Sequence, residues 1–517
     1  MRRTLQALAP NLCRTIILDS FNNTLALAPE STEMQDNARA LRAENSETWS
    51  ALLFLLSFWL FNVLTATCYP FGHQDEAMFA TPAIHYLRGE GFHIPFSEMV
   101  SLYCFLLVPW IKFFGHSLRS VRALEITCVT AAFFILWSAV LRLRLVEKPI
   151  ARVLMLLLLS TEFGVIVAYR TGRYDGMGFL ILASTLWAMS ITSTSSRIIF
   201  LFVLYLFVPW AGLQYLPLQF TIALVTILLF QLRYWKDIAI SFVASGIGAL
   251  AFLACLWFSG RLPGYMKLVH VQQRGFISNL FHGRFDHHNA IPADYSLLFV
   301  FVAAIVLLAA CRQPEFRRAY LTLRYAVIFT LCLAIVLISS SKFPTYYTYM
   351  VTIPLLIGIC SGLSVCKNRR SLIAAATLCA LSSIVGVGTH LIAYSVDRQD
   401  RNYGQVVQFV DQTIRPDDVV FSDEASYLAV VGRARQAYMP IADWDIVPLM
   451  SDEQRKSVNV LLVRQLWVKT KLIRELGGEW KATGQELVPT GHILLDGKTN
   501  LGFLSIPDNH LMVYRRQ

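Results

Sequence analysis

The feature that most restricts what this chain can become is a succession of apolar runs, several of which reach the roughly 20 residues needed to cross a bilayer as a helix. Spans are expected near 50–69, 120–141, 151–169, 176–193, 198–210, 213–231, 238–259, 294–311, 325–340, 348–364 and 371–394. The run from Ile198 to Leu232 is nearly continuous, and Pro209 and Pro217 supply the break within it. Composition agrees: 55% of the 517 residues are hydrophobic and 15% charged, far from soluble averages. The ten cysteines lie mostly in or beside apolar runs, without metal-ligand spacing, and read as packing residues.

The expected architecture is an α-helical polytopic membrane protein of about 11 transmembrane helices. Residues 1–49, polar and mixed, read as a cytosolic tail rather than a cleavable signal peptide. Residues 50–394 form the membrane domain, and 395–517 a soluble domain on the outer face. Charge sets the orientation. With the N-terminus inside, the inner loops collect Arg142, Arg144, Lys148 and Arg152, then Arg197, Arg233 and Lys236, then Arg312 to Arg324, and finally Lys367, Arg369 and Arg370. Short loops dense in base belong on the cytosolic side.

The tail from Ser395 carries 15 Lys+Arg against 16 Asp+Glu, so the net charge of +11 resides in the membrane part. The basic balance is therefore an orientation and lipid signal, and nucleic acid is not an expected partner. In the tail, 403–414 and 465–476 have helical spacing, while 418–422, 458–464, 492–495, 502–506 and 511–515 read as strands. A small C-terminal α/β extracytoplasmic domain is the result.

The first outer loop, Phe71 to Arg119, places Asp75 and Glu76 side by side just beyond the first span. Its aromatic and polar alternation, with Pro at 82, 95 and 109, predicts amphipathic interfacial helices. The same loop adds Glu98, and the next outer loop Arg170, Arg173 and Asp175. Later ones bring His270, Arg274, His282, Arg284, Asp286, His287 and His288, then Lys342 with Tyr346 and Tyr347. A carboxylate can act as general base on a hydroxyl, and cations can hold a phosphate whose charge grows as a bond to it breaks. A few acids among many cations on one face therefore suit transfer from a phosphate-linked donor. Each group also has a plainer use. Asp75 and Glu76 can cap a helix, Lys342 can snorkel, Arg173 and Asp175 can be a local ion pair, and the histidines can be solvated rather than hold zinc. Glu125 and Glu162, in or near spans, need partners in either case.

The segment FGHQDEAMFATPAIHYLRGEGFHIP, followed by Trp110, Phe114, Gly115, Ser117 and Arg122, resembles the first outer loop of the multi-spanning C-type glycosyltransferases. Within that group it is similar to the lipid A aminoarabinose transferases, their galacturonic acid and mannose relatives, and the protein O-mannosyltransferases. The runs VHVQQRGF…HHNAIPADYSLL and SSSKFPTYYTYMVTIPLL resemble later elements of the same family. The resemblance implies inverting transfer of a sugar from a polyprenyl phosphate to a glycolipid, glycan or protein on the outer face, with Asp75 as base and Glu76 beside it. It also implies a bacterial inner membrane, a periplasmic site and no required cofactor, although a divalent metal is compatible. The remaining polar residues, Lys342, Arg173, Asp175, His270, Arg274, Tyr346, Tyr347, Glu98 and His288, are the expected substrate contacts.

The sequence departs from the aminoarabinose transferases where they have Arg three residues after the Asp and Lys after the loop Glu. Met78 and Met99 stand there, so the sugar identity does not carry over. An oligosaccharyltransferase with a lipid-pyrophosphate donor, and a transporter of lipid-linked sugar, are the rival readings. No internal repeat of the kind many transporters show is visible.

Overall fold

The computed structural model describes residues 31–68, 74–89, 100–273, 291–339, 347–396, 398–439, 450–464, 471–488 and 510–517. It divides into two compact units, Met1–Leu53 and Phe54–Gln517, with the helix Ser31–Leu64 running through the boundary. The second unit holds the first loop, the later membrane helices and the C-terminal domain.

Among the described residues, seven helices are long and apolar enough to cross a membrane, or eight if the bent pair Pro149–Thr161 and Phe163–Arg170 is one span. Three further expected spans are apolar helices of shorter length: Asp175–Ala188, Tyr215–Phe230 and Tyr295–Ala310. Every expected span thus falls on an apolar helix, but length alone does not reach the expected eleven. The shortfall has local causes. The third span breaks at Glu162, and the fourth begins only at Asp175, after the turn Thr171–Tyr174. The fifth span ends in the short helix Val208–Ala211, with Pro209 in its first turn, and Gly212 (φ +148°) parts it from the sixth.

Helix ends follow from their residues. Ser117 caps Leu118–Arg142 by accepting the Ser120 N–H, Pro149 starts the third span at a position where no N–H is needed, and Asn368 accepts from Arg370 and Ser371 at the start of Arg369–Ser383. At the break in the third span, the Glu162 carboxylate accepts the Val165 N–H (2.9 Å) and a hydrogen bond from Ser296 Oγ (2.8 Å). The two halves meet at 64°. Gly164 follows because a Cβ there would lie 1.9 Å from Thr348 Oγ1 of the neighbouring span. The pairing expected for Glu162 is therefore met inside the bundle.

Among the described residues the first loop has the helices Gln74–Leu87 and Ser101–Phe114. The second exposes Phe105, Leu106, Phe113 and Phe114, as an interfacial helix does. The first does not lie free on a surface: Glu76 to Thr81 and Ala83 to His85 are buried by protein.

The C-terminal domain contains one five-stranded sheet built from β1 Val419–Ser422, β2 Gln436–Tyr438, β3 Val460–Arg464, β4 Trp480–Leu487 and β5 Leu511–Arg516. The order is β2-β1-β3-β5-β4, with β1 parallel to both neighbours and β5 antiparallel to β3 and β4. β1 and β3 are buried throughout, as central parallel strands are. Helices at Gly404–Thr413 and Lys471–Leu476 match the helical spacing, while Glu424–Val431, β2 and β4 were not expected. The strands expected at 492–495 and 502–506 lie outside the described residues.

Candidate active site

The first loop, the turn after the bent span and the start of the second span meet at one end of the bundle, and they bring together a buried cluster of acids and bases. Its anchor is Glu76 in the first turn of Gln74–Leu87. Arg122, one turn into the second span and without solvent exposure, donates from Nε to Glu76 Oε1 at 2.6 Å and from Nη1 to the Ala66 carbonyl. A buried pair of this kind costs about 3–5 kcal/mol to break from one side, because the surviving charge is stranded. Gly172 packs over it. Its φ of +57° is the left-handed region that suits glycine, and a Cβ would come within 3.1 Å of both Arg122 Cγ and Glu76 Cγ.

The turn that carries Gly172 also supplies Arg173 and Asp175. Arg173 Nε lies 3.2 Å from Asp175 Oδ2, both residues are buried, and the guanidinium stands over the Tyr174 ring at 5.4 Å. Three tyrosines hold this turn. Tyr103 donates to the Gly172 carbonyl (2.9 Å), Tyr215 to the Tyr174 carbonyl (2.9 Å), and the Tyr174 and Tyr347 hydroxyls share a hydrogen bond of 2.9 Å. Below them Glu125 accepts the Gly176 N–H at the start of Asp175–Ala188, while its Oε2 is buried without a hydrogen-bond partner. The helix dipole favours an acid there.

On the C-terminal side, Asp423 caps Glu424–Val431 through the Ala425 N–H (2.7 Å), and Arg464 at the end of β3 pairs with both Asp423 and Glu424. Tyr403 joins this domain to the cluster. Its N–H donates to Thr67 O (3.2 Å), and its hydroxyl accepts from Ala429 N (3.1 Å). Burial pushes the phenol up, and Glu76 and Asp423 add to that while Arg122 eases it.

Of the residues expected to act, Glu76, Arg173, Asp175 and Tyr347 come together here. Asp75 occupies the first turn of Gln74–Leu87 and His270 the helix Leu262–Gln273, but their side chains lie outside the described residues. Glu98, Arg274, His288, Lys342 and Tyr346 also lie outside them. Arg173 and Asp175 do form an ion pair, though a buried one rather than one on the surface. Tyr103, Tyr174 and Tyr215 were not assigned roles from sequence, Arg122 entered only through the resemblance, and Glu125 was expected only to need a partner. Arg122 and Glu125 carried a signal, as two opposite charges one turn apart at the start of an apolar span. The tyrosines carried none. Among the described residues no group of three His, Cys, Asp or Glu is placed to hold a metal ion.

No protein-family model matches the chain, and no curated protein sequence does. Among solved structures, the fold is similar to that of ArnT from Cupriavidus metallidurans, crystallised with undecaprenyl phosphate bound. The likeness covers 90% of this chain and 97% of that one at 12% identity, with a TM-score of 0.53. At that identity the likeness is one of fold: this chain has a multi-spanning architecture like that of ArnT.

Proposed function

We propose that this chain is an inverting glycosyltransferase, which moves a sugar from a polyprenyl-phosphate-linked donor to a hydroxyl or phosphate of a glycolipid, glycan or protein at the outer membrane face. The observation that carries the reading is the buried cluster Glu76–Arg122 with Arg173–Asp175, set at the loop end of a bundle whose architecture ArnT uses with undecaprenyl phosphate bound. In this reading the protein sits in a bacterial inner membrane with the cluster toward the periplasm.

The roles divide by chemistry. A carboxylate already committed to a guanidinium is a poor base, so Glu76 anchors the first-loop helix and the neighbouring Asp75 takes the acceptor proton. The polyprenyl phosphate is a good leaving group whose negative charge grows as the sugar departs. Arg173 and Lys342 stabilise that charge, with Arg274, His270 and His288 as further donors, and Tyr347, Tyr346, Asp175 and Glu98 orient the sugar. No metal enters the scheme.

The test is transfer by the purified full-length chain from undecaprenyl-phosphate-linked sugars, after mass spectrometry of envelope lipids and glycans from a deletion strain has named donor and acceptor. Asp75→Asn should insert and express normally, because Asn matches Asp in size and shape, yet turnover should fall about 10²–10⁴-fold, since an amide cannot take the proton. Near-parental turnover in that variant would return the loop to a structural role. Turnover should persist in a chelator; its loss there would favour a metal-dependent enzyme with a lipid-pyrophosphate donor.

A further inference from the structure

The first-loop helix Gln74–Leu87 begins at the candidate base and ends against the C-terminal domain. At its far end, His85 Nε2 and the Tyr427 hydroxyl are 3.2 Å apart, and the His85 ring stacks on Tyr438 with centroids 6.3 Å apart. Thr81 Oγ1 reaches Met439 Sδ at 3.3 Å, and Arg88 Nη2 donates to the Val431 carbonyl at 2.7 Å. His85, Tyr427 and Tyr438 are almost wholly buried, so these contacts form a dry joint rather than a wetted one. A hydrogen bond with no competing water holds its geometry more firmly than an exposed one.

The joint closes a circuit. Glu76 is fixed to the second span through Arg122, while His85, more than two turns along the same helix, is fixed to Glu424–Val431. That helix is in turn tied to the first span, because Tyr403 accepts from Ala429 N with its hydroxyl and donates its own N–H to Thr67 O. The helix bearing Asp75 is thus held at both ends, and the second hold belongs to a domain that adds no assigned catalytic group of its own.

We infer that the C-terminal domain positions the base of the transfer reaction, with His85 and Tyr427 as the positioning pair; this rests on the reading of Asp75 proposed above. Displacing a base by about 1 Å can cost as much as 10²-fold in rate. The donor phosphate is assigned to residues on other segments, so loosening this joint should slow turnover and leave donor binding alone.

Three variants of the full chain test it: Tyr427→Phe, His85→Ala and the double. Each single should lower kcat per folded enzyme about tenfold or more, with donor KM unchanged. The double should do no worse than the worse single, since both remove one interaction. His85→Gln, whose amide reaches the Nε2 position, should recover much of the loss. Amide exchange in Gln74–Leu87 should rise in the single variants. Parental kcat in Tyr427→Phe and His85→Ala would overturn the inference, as would a loss that vanishes once the amount of folded protein is normalised. If the unaltered chain transfers no sugar from any polyprenyl-phosphate donor, the proposed reaction fails and exchange alone decides: unchanged protection in Gln74–Leu87 rejects the joint, and lowered protection upholds it.

Discussion

Glu424, in the first turn of Glu424–Val431, is a buried carboxyl whose charge sits close to changing at neutral pH. Burial and the adjoining Asp423 push its carboxyl up from the ordinary 4.5 to about 7, against the pull of Arg464. One arginine shared by two buried acids leaves the trio one negative charge in excess, and Glu424 Oε1 has no hydrogen-bond partner to soften it. The folded state therefore binds this proton more tightly than the unfolded chain does. The stability that results is complete below about pH 4.5 and is lost as pH rises through about 7. The temperature at which the C-terminal domain loses its near-UV signal should accordingly fall between about pH 5 and pH 8, and Glu424→Gln should flatten that part of the curve. A profile equally steep in the variant would place the titration elsewhere.

Among the elements, the bent third span is the one that makes the site possible, because its second half delivers Arg170, Gly172 and Arg173. Arg170 ties that half to the first span through Asn62 Oδ1 (2.6 Å) and the Thr65 carbonyl (2.8 Å). At the bend, Glu162→Gln should be tolerated, since its oxygen can accept the Val165 N–H and its amide can donate to Ser296 Oγ. Glu162→Leu removes the cap and leaves the Val165 N–H without its acceptor, while Ser296 keeps only Ser382, at a cost of about 1–3 kcal/mol, and should lower the unfolding temperature of the detergent-solubilised protein. Equal unfolding temperatures for the Leu and Gln variants would refute this role.

The bend also marks the limit of what the sequence reveals. Apolar runs placed every expected span on a helix, and side-by-side acids marked the first loop, because both signals are local in the chain. A Glu inside a leucine-rich run announces only that it needs a partner. That Ser296, distant in sequence, supplies one depends on packing. The helix Gln74–Leu87 shows the same limit: its aromatic and polar alternation suits an interface, and the C-terminal domain that covers it lies more than 300 residues away. In that domain the buried runs Val419–Ser422 and Val460–Arg464 were legible as strands. Trp480–Leu487 was not, because an exposed edge strand rich in polar residues lacks the apolar period that identifies one.

Across the whole molecule, the joint between Gln74–Leu87 and Glu424–Val431 puts the first loop and the C-terminal domain on one side of the membrane. The chain between them must then cross an even number of times, which agrees with the alternation of basic loops in the sequence. Reporter fusions after Arg144, Lys236 and Arg370 should read cytosolic, and fusions after Glu90, His288 and Gln399 external. Opposite readings at Glu90 and Gln399 would break the joint as well as the orientation.

Arg122 has a consequence for how the protein is made. One guanidinium holds both Ala66 and Glu76, and the ribosome delivers it 56 and 46 residues after them. Until that side chain arrives neither hold exists, and chain entropy opposes bringing Ala66 and Glu76 together. An ammonium cannot match the fork that grips carbonyl and carboxylate together, so Arg122→Lys should seat its spans yet leave the first loop open to protease added from outside. A loop as resistant as the parent's would mean that closure is achieved by other contacts. With the arginine in place, the order of membrane insertion becomes the order of assembly: the first loop is completed by the second span.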